Sequence, residues 1–382
     1  MGHGRVSSTR NVAEMIDRRF IKYFDWGLLG LTVFIACLGL VALYSAVISA
    51  TAAPQKMLYL KQLVWYCAGI VVMVLSFVIN YKSLDRWAPV IYVVCMLLLI
   101  SVLVFGKHVG GARRWLILGP VSIQPSELAK IAVIISLTRY FSRRADTGGL
   151  TLRELFTPFI LTVIPFILIV KQPDLGTAML IVLIAGSVTV FVKIERRSLL
   201  CLVTSCTVAV PLVWFFLKGY QKRRILTFLN PDRDPLGAGY HIIQSKIAIG
   251  SGMIAGKGFL EGTQNALSFL PEQHTDFIFS VLAEEWGLMG SLFLLCLFLS
   301  LIIWGLNIAY RCREPFGTIL AVGVTAMLFW HVFINVGMTM GLMPIVGVTL
   351  PFISYGGSSV ITTMICIGLL LNISMRRFLY EQ

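Results

Sequence analysis

Apolar residues fall into ten long runs separated by short polar intervals, at 24–48, 62–80, 87–105, 126–141, 156–171, 175–192, 198–217, 277–305, 316–340 and 353–374. Their lengths suit the roughly 17 to 25 residues that a helix needs to cross bilayer hydrocarbon. Helices are the form in which an isolated segment satisfies its own backbone in lipid. The pattern therefore predicts an all-α polytopic membrane protein of about ten transmembrane helices. The spans share one bundle, giving a single transmembrane domain over 24–375 between an N-terminal tail, 1–23, and a C-terminal end, 376–382. One interval is long, and 218–275 is expected to be a large extracytoplasmic loop.

Composition excludes a soluble globule: 57% of the 382 residues are hydrophobic and 13% charged, with a mean hydropathy of +0.85. The net charge of +14 is carried mostly by alternate short intervals. Arg5, Arg10, Arg18, Arg19 and Lys22 precede the first run. Lys82 and Arg86, then Arg139, Arg143, Arg144 and Arg153, then Lys193, Arg196 and Arg197, then Arg311 and Arg313, repeat the sign, and Arg376 and Arg377 close the chain. Since Lys and Arg stay on the cytoplasmic side, both termini are expected in the cytoplasm, which requires an even number of spans. Residues 50–53 mimic a cleavage site, but the first run is longer than a cleavable signal segment. The eight cysteines include no CxxC pair and no histidine at metal-binding spacing, so they read as small buried hydrophobes. No nucleic-acid partner is expected.

The outward interval GKHVGGARRWLILGP breaks the charge rule with Lys107, His108, Arg113 and Arg114. Either the arginines pair with lipid headgroups, or paired guanidinium groups beside Gly110 and Gly111 hold a diphosphate, because Arg forks match phosphate oxygens. The next run opens IQPSELAK, with Pro125 suited to a first helical turn. Glu127 and Lys130, three apart, share a helix face that must point into the bundle, as a structural ion pair or with Lys130 as a further cation for the same anion. Asp174, in KQPDLGTA, either caps the following helix or faces a sugar or cation.

Asp276 lies where the long loop enters an apolar helix, in LPEQHTDFIFSVLAEEWG. An acid at the wet edge of a bilayer can reach both a lipid-borne substrate and water, so Asp276 is the candidate catalytic base, against the plainer role of helix cap. Glu284 and Glu285 follow about two turns later and call for polar partners, His331, Asn335 or Lys130. His331, Asn335 and Thr339 recur every four residues as a polar stripe suited to interhelical hydrogen bonds. In GLMPIVGVTLPFISYGGSS, the prolines and Gly356-Gly357 break regular helix, and Ser354, Ser358 and Ser359 are candidate donors to a ligand. Ile242, Ile243, Ile247 and Ile249 suggest a short amphipathic piece on the outer leaflet, and Lys218, Lys222, Arg223 and Arg224 a headgroup-facing basic run.

The order GGARRW, PSELAK, QPDLGT, NPDRDPLGAGYHIIQSKIAIGSG, LPEQHTDFIFSVLAEE and GVTLPFISYGGSS closely resembles the SEDS family (shape, elongation, division and sporulation proteins), more narrowly its RodA-like members. The resemblance implies a peptidoglycan glycosyltransferase of the bacterial cytoplasmic (inner) membrane that polymerises lipid II, an undecaprenyl-diphosphate-linked disaccharide peptide, at the outer face during elongation. It implies Asp276 as the essential acid and Arg113, Arg114, Glu127 and Lys130 as functional charges. Asp174, Ser354, Gly356 and Gly357 complete the expected substrate site, with Glu284, Glu285, His331 and Asn335 in support. A class B penicillin-binding protein transpeptidase is the implied partner, beside membrane lipid. No cofactor is evident, although a divalent cation bridging diphosphate and Asp174 or Glu127 fits the same residues. The alternatives are a division-specific FtsW-like polymerase and a lipid II flippase without polymerase activity.

Overall fold

The computed structural model describes residues 24–48, 56–109, 112–118, 121–144, 149–216, 219–231, 237–267, 269 and 272–376. Helices α1 (Trp26–Ile48), α2 (Lys56–Val78) and α3 (Tyr81–Phe105) come first. Strands β1 (Lys107–Val109), β2 (Ala112–Leu118) and β3 (Val121–Ile123) follow. Helices α4 (Pro125–Ser142), α5 (Leu152–Lys171), α6 (Leu175–Phe191) and α7 (Arg196–Phe216) return to the bundle. The long loop holds α8 (Gly219–Leu229), α9 (Ala238–Ser251) and α10 (Thr263–Ala266). Helices α11 (Ile278–Arg311), α12 (Pro315–Thr339) and α13 (Gly357–Arg376) complete the chain.

Ten of these helices coincide with the ten apolar runs. Among the described residues, seven are long and apolar enough to cross a membrane by length and composition. Helix α6 is apolar but shorter, and α4 carries Glu127, Lys130 and Arg139. In α12 and α13, 72% and 89% of the apolar window is buried, against 22% in α2 and α5, so the former are the centre and the latter face lipid. Helix α4 is largely enclosed, burying most residues from Pro125 to Phe141. A helix buried all round must satisfy its polar side chains within the protein.

Two predicted loops have more structure than the sequence pattern shows. The outward interval is a three-stranded antiparallel sheet in the order β1-β2-β3. Gly110-Gly111 and Gly119-Pro120, between the strands in sequence, lie outside the described residues. The isoleucines of 242–249 belong to α9, which packs on α11 with Ile242 and Ala248 buried and Ile247 exposed, so this helix is a layer of the protein rather than a piece lying on the leaflet.

Helix α11 is broken. Gly287 adopts φ 66° and ψ −161°, a region that a side chain excludes. The break frees backbone groups inside an apolar bundle, and the segment 253–258 takes them up. Lys257 N and Gly258 N donate to the Glu284 and Glu285 carbonyls at 3.1 and 3.0 Å, while Leu288 N and Met289 N donate to Met253 O and Ile254 O at 2.8 and 3.2 Å. The first two turns of α11 are thereby stitched to the long loop. A methyl at Gly287 would also collide with the backbone of Ile254 and Gly256. Gly287→Ala is expected to cost about 1–3 kcal/mol, read as a lower thermal midpoint in detergent; an unchanged midpoint would mean the stitch is not strained.

Candidate functional site

Asp276 occupies the turn 272–277 that leads into α11. The N-cap of α11 is Phe277, with no side-chain cap, so the Asp276 carboxylate is not used in capping. Among the described residues it accepts no hydrogen bond. What fixes it is main chain. Asn335 Nδ2 donates to Asp276 O at 2.9 Å and to Val348 O at 2.7 Å, clamping the turn to the segment that follows α12. Ser354 Oγ donates to Thr275 O at 2.5 Å while accepting from Leu350 N at 2.8 Å, and Tyr355 N donates to His274 O at 2.9 Å. Gly347, at φ +72°, lies against the carboxylate, and a Cβ built there would stand 3.2 Å from Asp276 Oδ2.

The electrostatic setting is mixed. Burial pushes the Asp276 carboxyl up from the ordinary carboxylate range to about 7; Glu272 and Asp174 push the same way, and Arg114 and Arg224 oppose them. Burial also lowers the neighbouring His274, which leaves an uncharged imidazole beside the turn at neutral pH. Glu272, Arg224 and Gly347 are members of the site that the sequence pattern did not single out. Their signals were weak: an acid in the same short motif, one arginine in a basic run, and a glycine between two prolines.

Arg113 and Arg114 do not form one fork. They are consecutive on β2, and successive side chains of a strand point to opposite faces. Arg114 is half-buried, donates from Nη2 to Pro173 O, and has Nη1 4.0 Å from Asp174 Oδ1. Arg113 is exposed. Asp174 is the N-cap of α6, accepting from Thr177 N at 3.3 Å, Thr177 Oγ1 at 2.9 Å and Gln124 Nε2 at 3.1 Å. Gly110 and Gly111 lie outside the described residues.

Lys130 and Glu127 are not at a surface. Lys130 is 0% exposed, and its Nζ lies 2.7 Å from Glu127 Oε1 and 2.7 Å from His331 Nε2. His331 Nδ1 is 3.1 Å from Thr349 O; a carbonyl only accepts, so Nδ1 carries the proton and Nε2 accepts from the ammonium. The two are thus engaged with each other, and Lys130 also with His331, inside the bundle. An ammonium enclosed by α4, α12 and α13 takes the nearest carboxylate and imidazole because leaving it unpaired in low dielectric costs several kcal/mol.

The partners expected for Glu284 and Glu285 are also different. Glu284 Oε1 accepts from Lys257 Nζ at 2.7 Å, Gln264 N at 3.0 Å and Thr263 Oγ1 at 3.1 Å, and Glu285 Oε1 accepts from Ser45 Oγ on α1. The break at Gly287 turns both acids toward the long loop instead of His331, Asn335 or Lys130. Ser354, 2% exposed, has its hydroxyl engaged twice; Gly356 N donates to Gln62 Oε1 at 3.3 Å, and Gly357 packs against Trp65. These three brace the Asp276 turn and the start of α13. Ser358 Oγ accepts from Gln124 N at 3.0 Å, and Ser359 Oγ is 2.8 Å from Thr349 Oγ1. Among the described residues no cluster of three or more His, Cys, Asp and Glu is placed to hold a metal ion.

Fold and site together define a polytopic helical membrane protein with an ionisable site where its long loop meets the bundle. The FTSW_RODA_SPOVE family model, described as "Cell cycle protein", matches residues 26–378, and the chain belongs to this family. It is 45% identical over 336 residues to the peptidoglycan glycosyltransferase MrdB of Escherichia coli K12, covering 87% of this chain and 90% of that one. It is similar to a chain in a solved peptidoglycan synthase complex described as coordinating polymerization and crosslinking, with a TM-score of 0.79 and 34% identity over 94% of this chain and 99% of that one. The rod shape determining protein RodA of Thermus thermophilus aligns at a TM-score of 0.69 with 29% identity, covering 93% and 98%.

Lys130→Met is expected to destabilise the protein by about 3–5 kcal/mol, the range for removing one partner of a buried pair, because Glu127 and His331 would be stranded. Thermal melts in detergent would show it, and a variant as stable as the parent would mean the pair adds nothing to the fold.

Proposed function

We propose that this chain is a peptidoglycan glycosyltransferase that polymerises lipid II into β-1,4-linked glycan strands at the outer face of the bacterial cytoplasmic membrane during elongation. The family, the 45% identity to a peptidoglycan glycosyltransferase and the similarity to a rod shape determining protein support this activity and role. The spans sharing one bundle support a single transmembrane domain over 24–375, and the charge of the short intervals supports cytoplasmic termini. Similarity to a chain of a synthase complex supports a crosslinking partner, a class B penicillin-binding protein transpeptidase.

The observation that carries the mechanism is Asp276, an uncapped carboxylate pushed up to about 7 by burial. A base is most useful when its pKa lies near the working pH. Asp276 takes the proton from the 4-hydroxyl of the acceptor GlcNAc as that oxygen attacks the anomeric carbon of the donor MurNAc. The bond to the diphosphate breaks with inversion, and undecaprenyl diphosphate leaves. The growing negative charge falls to guanidinium groups near the carboxylate, Arg114 and Arg224, with Arg113 on the outer face of β2 meeting the approaching headgroup. Gly347 leaves the carboxylate open to an acceptor hydroxyl. Glu127, Lys130 and His331 hold α4 against α12, and Asp174 sets the position of Arg114. A divalent cation has a place in this scheme only if the diphosphate itself supplies ligands.

The family also contains FtsW-type members, so septal polymerisation is the second reading; tagging in growing cells separates side wall from septum. A flippase would move lipid II without making glycan, and purified protein with labelled lipid II and a transpeptidase-dead partner distinguishes the two.

Asp276→Asn is expected to lose about 10² to 10⁴ in polymerisation rate while inserting normally; near-parental glycan synthesis would remove the base. For the parent protein, the base must be ionised, so the rate should rise about tenfold per pH unit below 7 and level off above it. The sign for stability is opposite. A carboxyl raised from 3.8 to about 7 by folding favours its protonated form, so its ionisation weakens the fold as pH rises through that window. Asp276→Asn should therefore melt no lower than the parent at pH 8. Arg114→Ala is expected to lower kcat/KM for lipid II about tenfold or more, the value of one charged hydrogen bond, and an unchanged value would reduce Arg114 to a brace for the Pro173 turn.

A further inference from the structure

A second built site lies at the other end of the bundle. A groove of about 470 Å³ opens between α3, α4 and α5. It is far from Asp276: on α4 alone, Arg139 lies about 18 Å along the axis from Glu127, at about 1.5 Å per residue.

Prolines interrupt two of the helices that wall it. Pro89, Pro158 and Pro165 sit inside α3 and α5. A proline supplies no N–H to the carbonyl four residues earlier, which leaves those of Asp85, Glu154 and Leu161 without helical partners. Each is taken up by a side chain of the groove. Arg139 Nη1 donates to Asp85 O at 2.5 Å, Tyr140 Oη to Glu154 O at 2.5 Å, and Tyr92 Oη to Leu161 O at 3.0 Å. The groove is thus held open by hydrogen bonds and is not a chance gap between helices.

Its lining is polarised. Toward the helix ends lie Arg139, Arg143 and Arg144, with the Arg144 guanidinium stacked 3.9 Å over the Tyr140 ring. Asp85 is the acid among them, 3.1 Å from Arg143 Nη2 and 3.9 Å from Arg139 Nε, and the half-buried Glu154 at the start of α5 acts on Arg144. Deeper in the membrane, the wall is apolar, with Pro89, Val93 and Leu161. Ser136 is one turn below Arg139, 7% exposed, and its hydroxyl has no hydrogen-bond partner among the described residues.

We propose that this groove binds an anionic glycerophospholipid of the leaflet opposite Asp276. The phosphate meets Arg143 and Arg144, the Ser136 hydroxyl donates to a glycerol-ester carbonyl one turn deeper, and an acyl chain lies along Val93 and Leu161. Basic pockets between transmembrane helices suit such headgroups. A chain-bearing ligand fits better than a free anion because the groove continues as an apolar wall facing lipid.

The test uses the full protein in detergent, stripped of copurified lipid and mixed with phosphatidylglycerol, phosphatidylcholine or inorganic phosphate, with bound lipid read by native mass spectrometry. Phosphatidylglycerol should be retained and phosphatidylcholine lost. The R143Q/R144Q double variant should weaken phosphatidylglycerol binding about thirtyfold, at roughly fivefold for each arginine near a headgroup. Ser136→Ala removes no bond within the described protein, so it should bind less lipid at an unchanged melting temperature. Equal retention of the neutral lipid, parental binding by the double variant, or displacement of phosphatidylglycerol by millimolar phosphate would each overturn the proposal.

Discussion

A half-buried carboxylate that takes no part in capping sets the terms for the rest of the molecule. Asp276 stands just before the N-cap of α11, close to backbone amides that would ordinarily attract an acidic side chain. The structure prevents that by anchoring the turn through carbonyls. Asn335 holds Asp276 O, Ser354 holds Thr275 O, and Tyr355 N holds His274 O. Side-chain freedom is thus kept for the one group whose chemistry requires it. The positive φ at Gly347 belongs to the same arrangement, because any larger residue would close on the carboxylate.

Polar groups elsewhere in the bundle serve to hold this geometry. The Glu127–Lys130–His331 set ties α4 to α12 and, through Thr349, to the segment that carries Gly347. Glu284 and Glu285 do the same for the long loop and α1, across a helix break whose free backbone groups bond to 253–258. Lys130 reaches His331 on α12 as well as Glu127 on its own helix, and Glu284 and Glu285 reach the long loop and α1, because an unpaired ion is costly at low dielectric. Breaking one bond therefore affects the register of several elements.

Much of this was readable from the chain, for particular reasons. The ten helices were legible because bilayer thickness fixes the length of an apolar run, and the boundary at Pro125 matches a helix start. Asp276 and Asp174 were legible from their positions at the mouths of apolar helices. The strands of 107–123 were not, since two have only three residues and show no alternation. That omission made Arg113 and Arg114 look like one fork. Nor could sequence show that Lys130 is spent on His331, 201 residues away, or that the break at Gly287 turns Glu284 and Glu285 to the loop. Short-range patterns give elements; ion pairing depends on how distant elements meet.

The ionisation of one side chain is the most direct test. Infrared difference spectra between parent and Asp276→Asn protein, titrated from pH 5 to 9 in detergent, isolate the carbonyl stretch of that carboxylic acid. A protonated band should vanish with a midpoint near 7. A carboxylate already ionised at pH 5 would contradict a desolvated base at this turn.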